Sequence, residues 1–237
     1  MALRWLQSLL SCARAQAITL LNVCLAIGGW GDNSGFDEGV KTSSSRERFA
    51  KNIAFTVDRL GFDCTLTGNI LVAMARTISK SRTAKKKNEI KAFPLLLKQI
   101  KKYIGRKELS IAVPGLERDM IAYTSAETPR IKESVDFINV MTYDLMNRRD
   151  NHTTHHASIE GAASAIKRYI SLGFPASKLA IGIPFYAKWF TTKNGYTCNQ
   201  PIGCPTDPLE DELDGSDTGK SGYMTFEATN FAAPLPS

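Results

Sequence analysis

Three short segments carry side chains whose types could do chemistry on a sugar. Gly28-Gly29-Trp30 ends the apolar run Val23-Cys24-Leu25-Ala26-Ile27. Met141-Thr142-Tyr143-Asp144 ends a run that begins at Phe137, and Pro184-Phe185-Tyr186-Ala187-Lys188-Trp189 ends one that begins at Lys178. Indole and phenol rings stack on the flat faces of pyranoses, while a phenol and a carboxylate bond hydroxyls and amides. Adjacent glycines let a backbone approach a ligand closely. Each residue also has a plain structural reading: Tyr143 as an ordinary strand-end tyrosine, Trp30 and Tyr186 as packing aromatics.

Positioning such segments requires strands that end on one side of a sheet. The run at 23–27 is continuous and apolar, as expected for a fully buried parallel strand, and Gly28-Gly29 turns the chain. Ser44 and Glu47 have capping-box spacing. Phe49, Ile53, Val57 and Leu60 recur at helical intervals until Gly61 stops the helix. Asn88–Ile104 reads as a second amphipathic helix with Ile90, Phe93, Leu97, Ile100 and Ile104 on one face. Pro94 places its start at Ala92 or Phe93. Leu109–Val113, Phe137–Tyr143 and Lys178–Phe185 read as strands, and Ile159–Leu172 as a helix with Ala162, Ile166 and Ile170 inward. Apolar strands alternating with helices give a parallel α/β fold. After Phe190 the texture becomes rich in Gly, Pro, Asp and Thr.

The 237 residues, 43% hydrophobic, suffice for one large domain with a true core. No apolar run approaches the ~20 residues of a membrane-spanning helix. Residues 76–107 hold twelve Lys or Arg against one acid, a local charge of +11 that leaves the rest of the chain at −4 out of a net +7. Only Phe93 and Tyr103 interleave there, so the segment reads as a solvated face or an abnormal insert, not a nucleic-acid groove. Five cysteines are present. Cys198 and Cys204 flank a turn-rich loop suited to a disulfide, and Cys24 reads as a buried free thiol. Asn151-His152-Thr153 has the form of a glycosylation acceptor. His155 and His156 lack a carboxylate or Cys spaced to complete a metal site, and read as loop residues. Met1–Ala17 resembles a secretory signal only faintly: Gln7 and Ser8 break its apolar stretch, and Arg14 sits where cleavage would fall.

Taken in order, Leu25–Gly31, Val140–Asp150 (VMTYDLMNRRD) and Ala180–Trp189 resemble glycoside hydrolase family 18, and most the fungal chitinases. The resemblance covers residues 22–63 and 88–231. It implies an incomplete (β/α)8 TIM barrel over 22–190, an unassigned segment at 1–21, and part of a small α+β insertion domain at 191–237. It implies hydrolysis of β-1,4 bonds between N-acetylglucosamine units by the substrate-assisted retaining route. No metal or cofactor is implied. The partner is chitin or chito-oligosaccharide, with no nucleic acid, membrane or obligate protein partner, and the family is extracellular. Tyr143, Asp144 and Asp63 take supporting catalytic roles, while Gly28, Gly29, Trp30, Met141, Tyr186 and Trp189 line the sugar site.

The chain departs from the family at one place that matters. The family's fourth strand reads Asp-x-x-Asp-x-Asp-x-Glu, and its Glu is the catalytic acid. Asp63 fits the first Asp, but residues 66–88 contain no acid at all. Glu89 falls on a helix and Glu108 at the start of the next strand. Ala26 stands where the family has Ser. Codons for Leu66–Ala75 can be chosen so that reading from the third base gives Asp-Trp-Glu-Tyr-Pro-Gly-Gly-Asn-Gly, the missing motif followed by a turn. Residues 64–87 are therefore expected to be out of frame, and the chain as written is expected to be inactive, or alternatively a non-catalytic chitin-binding protein. The first, second and eighth strands are also missing from the pattern, which would leave two open sheet edges.

Overall fold

The computed structural model describes residues 22–28, 34–67, 83–211 and 216–227; Gly29, Trp30 and 68–82 lie outside them. The chain divides into two compact units, residues 1–140 with 166–180, and 141–165 with 181–237.

Along the chain, one or two helices separate successive strands: β1 (Cys24–Ile27), α1 (Ser34–Val40), α2 (Ser43–Leu60), β2 (Cys64–Thr67), α3 (Thr83–Ile104), β3 (Glu108–Pro114), α4 (Thr128–Ser134), β4 (Phe137–Met141), α5 (Ile159–Ser171) and β5 (Leu179–Ile181). The five strands form one sheet in sequence order. Cys24 pairs with Cys64, and Cys64 with Glu108, in parallel register. Sequential parallel strands with helical returns are the wall of a (β/α)8 barrel, here a partial one.

Helix α2 starts at Thr42, not at the expected Ser44–Glu47 box. Thr42 Oγ1 accepts from Ser45 N at 3.0 Å, and Ser45 Oγ accepts from Thr42 N at 2.9 Å. Glu47 is engaged elsewhere, with Tyr103 Oη at 2.5 Å and Lys51 Nζ at 2.9 Å. Gly61 ends the helix at φ 74°, a left-handed conformation that glycine adopts without a Cβ penalty. Helix α3 runs through Pro94 from Thr83, earlier than expected. An interior proline costs about 3 kcal/mol, and the full burial of Phe93, Leu96, Leu97 and Ile100 offsets it. Helix α1 carries no periodic sequence signal, yet Phe36 packs on Phe49 at 5.3 Å between ring centres. A Cβ at Gly39 would lie 2.8 Å from that same Phe49 ring.

Two expectations about the strands need correction. The run at 23–27 is not fully buried: Cys24 and Ala26 are exposed, because β1 is the outermost strand of the described sheet. Cys24 is not a free thiol but is disulfide-bonded to Cys64, its register partner, with Cα atoms 4.3 Å apart. At the other edge the strand stops at Ile181, and Ile183 and Phe185 are 72% and 78% exposed. Helix α5 turns Ala165 and Tyr169 inward, leaving Ile170 exposed. Tyr169 stands edge-on to Tyr123 and Phe174, and its hydroxyl donates to the Pro114 carbonyl at 2.8 Å.

Strands β2 and β4 begin with the same clasp. Asp63 N donates to Val23 O at 3.0 Å, and Val23 N donates back to Asp63 Oδ2 at 2.9 Å. Asp136 N donates to Leu109 O at 2.8 Å, and Leu109 N donates back to Asp136 Oδ2 at 2.7 Å. Lys101 Nζ adds an ion pair to Asp136 Oδ2 at 2.8 Å.

In the second unit β6 (Tyr186–Phe190) pairs antiparallel with β7 (Ser221–Thr225), setting Lys188 opposite Tyr223 and Trp189 opposite Gly222. No helix follows residue 190 among the described residues, so only the strand part of the expected α+β element is described. A disulfide joins Cys198 and Cys204. Thr153 anchors that loop: its hydroxyl accepts from Cys204 N at 2.9 Å, its N–H donates to Cys204 O, and its carbonyl accepts from Gly203 N, each at 2.8 Å.

Candidate functional site

The end of β4 is fixed first. Thr142 is buried, and its hydroxyl donates to Gly182 O at 2.6 Å. Asp144 then adopts φ 56°, the one positive φ among the described non-glycine residues. Asp tolerates this left-handed region better than most residues, and such outliers concentrate at functional sites. The following loop closes on itself. Leu145 N donates to His156 O at 3.0 Å, Asn147 N to Asp150 Oδ2 at 2.8 Å, and buried Met146 offers its sulfur to Thr154 N at 3.1 Å. Gly161 makes room for Leu145, since a Cβ there would come within 2.4 Å of Leu145 Cδ1.

Three side chains converge on one oxygen of Asp144. Tyr186 Oη donates to Oδ1 at 2.8 Å, Lys188 Nζ lies 3.2 Å from it, and His156 Nδ1 lies 4.0 Å from it. The Asp144 side chain remains 44% exposed, whereas those of Lys188 and His156 are 16% exposed. The Tyr186 ring is stacked by His156 at 5.4 Å and met edge-on by Tyr143 at 6.3 Å and Tyr223 at 6.2 Å. Burial, then the hydrogen bond to Asp144 and the charges of Asp144 and Tyr143, push the Tyr186 phenol well above its ordinary range. Burial, with the Asp144 charge behind it, raises Tyr143 too. Both phenols are therefore protonated hydrogen-bond donors at neutral pH. The result is a half-open carboxylate flanked by a cation and by aromatic rings. It can accept from a hydroxyl or amide and pack a pyranose face.

Of the residues singled out from sequence, the structure brings Tyr143, Asp144 and Tyr186 together. Met141 ends β4 two residues before Tyr143, half-buried. Trp189 lies over its cross-strand partner Gly222, where a Cβ would come 2.7 Å from its Nε1. In the first unit, Gly28 follows β1 at φ 83°, and Asp63 stands at the start of β2 in the clasp described above. Gly29 and Trp30 lie outside the described residues. The sequence reading missed Lys188, His156 and Tyr223. Lys188 sits two residues after Tyr186 and so shares its strand face, a signal that was present. His156 and Tyr223 come from a loop and a distant strand with no periodic link to the site.

Strand β2 places hydroxyls where the acids were sought. Thr65 Oγ1 donates to Leu25 O at 3.2 Å and Thr67 Oγ1 to Ser110 O at 3.4 Å, both buried. Among the described residues, the group close enough to share a metal ion is Cys24, Cys64 and Glu108, within 4.8 Å. The two sulfurs are bonded to each other, which leaves no thiolate for an ion.

No helix among the described residues is long and apolar enough to cross a membrane. A family model described as glycosyl hydrolases family 18 matches residues 6–234. Chitotriosidase-1 of Mus musculus is 30% identical over 204 residues, 78% of this chain and 42% of the relative. Endochitinase 1 of Metarhizium robertsii is 26% identical over 192 residues, 74% of this chain and 43% of the relative. This chain thus spans less than half the length of the first curated relatives it matches. A solved catalytic domain of the Ostrinia furnacalis group II chitinase, in complex with a penta-N-acetylchitooligosaccharide, superposes with a TM-score of 0.68. It is 21% identical, with 90% of this chain and 57% of that chain covered. With its partial barrel wall and its match from residue 6 to residue 234, the chain belongs to glycosyl hydrolase family 18.

Proposed function

We propose that the parent reaction of this chain is hydrolysis of β-1,4-linked N-acetylglucosamine polymers, and that the chain as written has negligible turnover. In the substrate-assisted route an acid protonates the leaving glycosidic oxygen while the sugar's own N-acetyl carbonyl attacks the anomeric carbon. Tyr143 and Asp144 would hold the distorted sugar through phenol donation and carboxylate acceptance. The acid is what the chain lacks. The observation that carries this reading is β2 itself: Cys64-Thr65-Leu66-Thr67 has no carboxylate, and both its hydroxyls are spent on neighbouring strands. Loss of a general acid is worth ~10²–10⁴-fold in rate, and loss of the carboxylate that orients the amide adds to that. Release of a chromophore from an N-acetylchitobioside is the test. Clear release that disappears in Tyr143→Phe would overturn the reading.

A second reading, retention of chito-oligosaccharide without cleavage, is favoured by the Asp144 cluster, whose hydrogen bonds need nothing from β2. Chitin-bead retention without soluble product supports it, and retention lost in Trp30→Ala would strengthen it. A chain that passes through chitin beads unretarded would remove it.

A further inference from the structure

We propose that His156 is a positioning residue for Asp144 and makes sugar binding at this site pH-dependent: neutral His156 leaves the carboxylate open to ligand, and protonated His156 closes on it. This deepens the sugar-binding reading above and rests on it for the ligand.

The geometry is that of a group held one step short of contact. His156 lies parallel to Tyr186, with 24° between the ring planes, and its backbone carbonyl is tied to Leu145 N. Its Nδ1 is buried, has no hydrogen-bond partner among the described residues, and lies 4.0 Å from Asp144 Oδ1. A buried ring nitrogen without a partner is costly, and the carboxylate oxygen is the acceptor within reach once that nitrogen carries a proton.

The groups facing the ring are Asp144 from the β4 end, and Tyr186 and Lys188 from β6. Tyr143 and Tyr223 stand behind Tyr186. Lys188 Nζ already occupies Oδ1 at 3.2 Å. Two cations on one carboxylate oxygen repel each other, so an imidazolium there displaces Lys188 and takes Asp144 away from a sugar hydroxyl or amide. Burial holds the imidazole below its ordinary value of 6.5, Lys188 acts in the same direction, and Asp144 and a backbone hydrogen bond at Tyr186 oppose them. His156 is thus neutral at neutral pH and charges only on acidification.

Proton NMR on the chain as it stands tests this, because the sequence has three histidines and His156→Gln assigns the resonance. His156 should titrate below 6.5. Asp144→Asn removes an attractive charge and should move the midpoint further down; Lys188→Gln removes a repulsive one and should move it up. A midpoint unmoved by either change overturns the coupling, whatever the ligand. Calorimetry with tetra-N-acetylchitotetraose then reads function: wild-type affinity should fall roughly tenfold as the pH drops through the midpoint, while His156→Gln stays flat. Equal pH profiles for the two proteins overturn the proposal. Absence of sugar binding at every pH, with midpoints moving as stated, would instead sink the sugar-binding reading.

Discussion

Strands β2 and β4 begin alike and end differently. Each opens on an aspartate whose backbone N–H donates to the carbonyl of one residue and whose side chain accepts from that residue's N–H, Val23 for Asp63 and Leu109 for Asp136. Strand β4 then leads into Tyr143 and Asp144, where a left-handed backbone, a phenol and a lysine meet. Strand β2 ends in Thr67, whose hydroxyl is tied to Ser110. Fold and chemistry therefore reside at opposite ends of the strands, and one can be lost while the other persists. Family membership can therefore be read from the fold even though β2 carries no carboxylate.

The largest effect expected from this contrast is on turnover. With the acid of β2 absent, hydrolysis should fall ~10²–10⁴-fold or more below a complete enzyme. The comparison breaks if the chain releases product at a rate that mutating β4 alone abolishes. Sequencing the transcript across residues 60–90 sharpens it. A transcript encoding Cys64–Lys87 in frame would show that β2 is a genuine strand of this protein and would end the frame-shift explanation.

Next in size is the staple that β2 has and β4 lacks. Cys24–Cys64 closes a separation of 40 residues and Cys198–Cys204 one of 6. On a chain-entropy scale these differ, at about 4 against about 2 kcal/mol. Denaturant unfolding of Cys64→Ser should therefore show a larger loss than Cys204→Ser. The reverse order would mean that β2 is not anchored to β1 as described.

Smaller, and most specific, is a crossed pair of effects at the two ends of the strands. Asp136→Ala should lower stability by about 1–2 kcal/mol with sugar affinity unchanged, and Asp63→Ala should act in the same direction. Asp144→Ala should weaken chito-oligosaccharide binding about tenfold, since it loses a charge-assisted contact, and Asp144→Asn should do so with little change in unfolding, since Asn keeps the left-handed φ that Ala tolerates poorly. Affinity loss in Asp63→Ala comparable to that of Asp144→Ala would support the supporting catalytic role that the sequence motif suggests for Asp63.

Much of this was legible from the sequence where periodicity speaks. Phe49, Ile53 and Val57 marked α2, and the apolar runs marked the strands. Tyr143-Asp144 and Tyr186 were picked out by chemistry and meet in space. Misreadings arose where position along a strand or an edge decides the outcome. Asp63 and Asp136 each stand one residue before a strand, and the bonds Asp63 makes to Val23 are those of a strand clasp, which the motif Gly61-Phe62-Asp63 does not foretell. Cys24 looked buried because an outermost strand carries the same apolar run as a central one. Ile170 looked inward because the helix has two apolar stripes, and packing chose the one with Ala165 and Tyr169. His156 was invisible as a site residue because its link to Asp144 depends on a loop that folds back through Leu145.

The smallest effect tests the Asp136 clasp by pH. Burial raises the Asp136 carboxyl. The hydrogen bonds from Lys101 and Leu109 N–H, with the charges of Lys101 and Lys178, outweigh that and bring it below its ordinary 3.8. A carboxyl whose pKa is lower in the folded state stabilises the fold above its unfolded value, and that contribution is lost as the pH falls through the folded one. The difference in melting temperature between wild type and Asp136→Asn should thus be full near neutrality, shrink once the pH drops through 3.8, and vanish below the folded value. Side-chain exposure of 42% keeps it to a few degrees at most. A difference that persists undiminished in strong acid would show that Asp136 acts through packing and not through charge, and the clasp would then be a matter of shape at both strands.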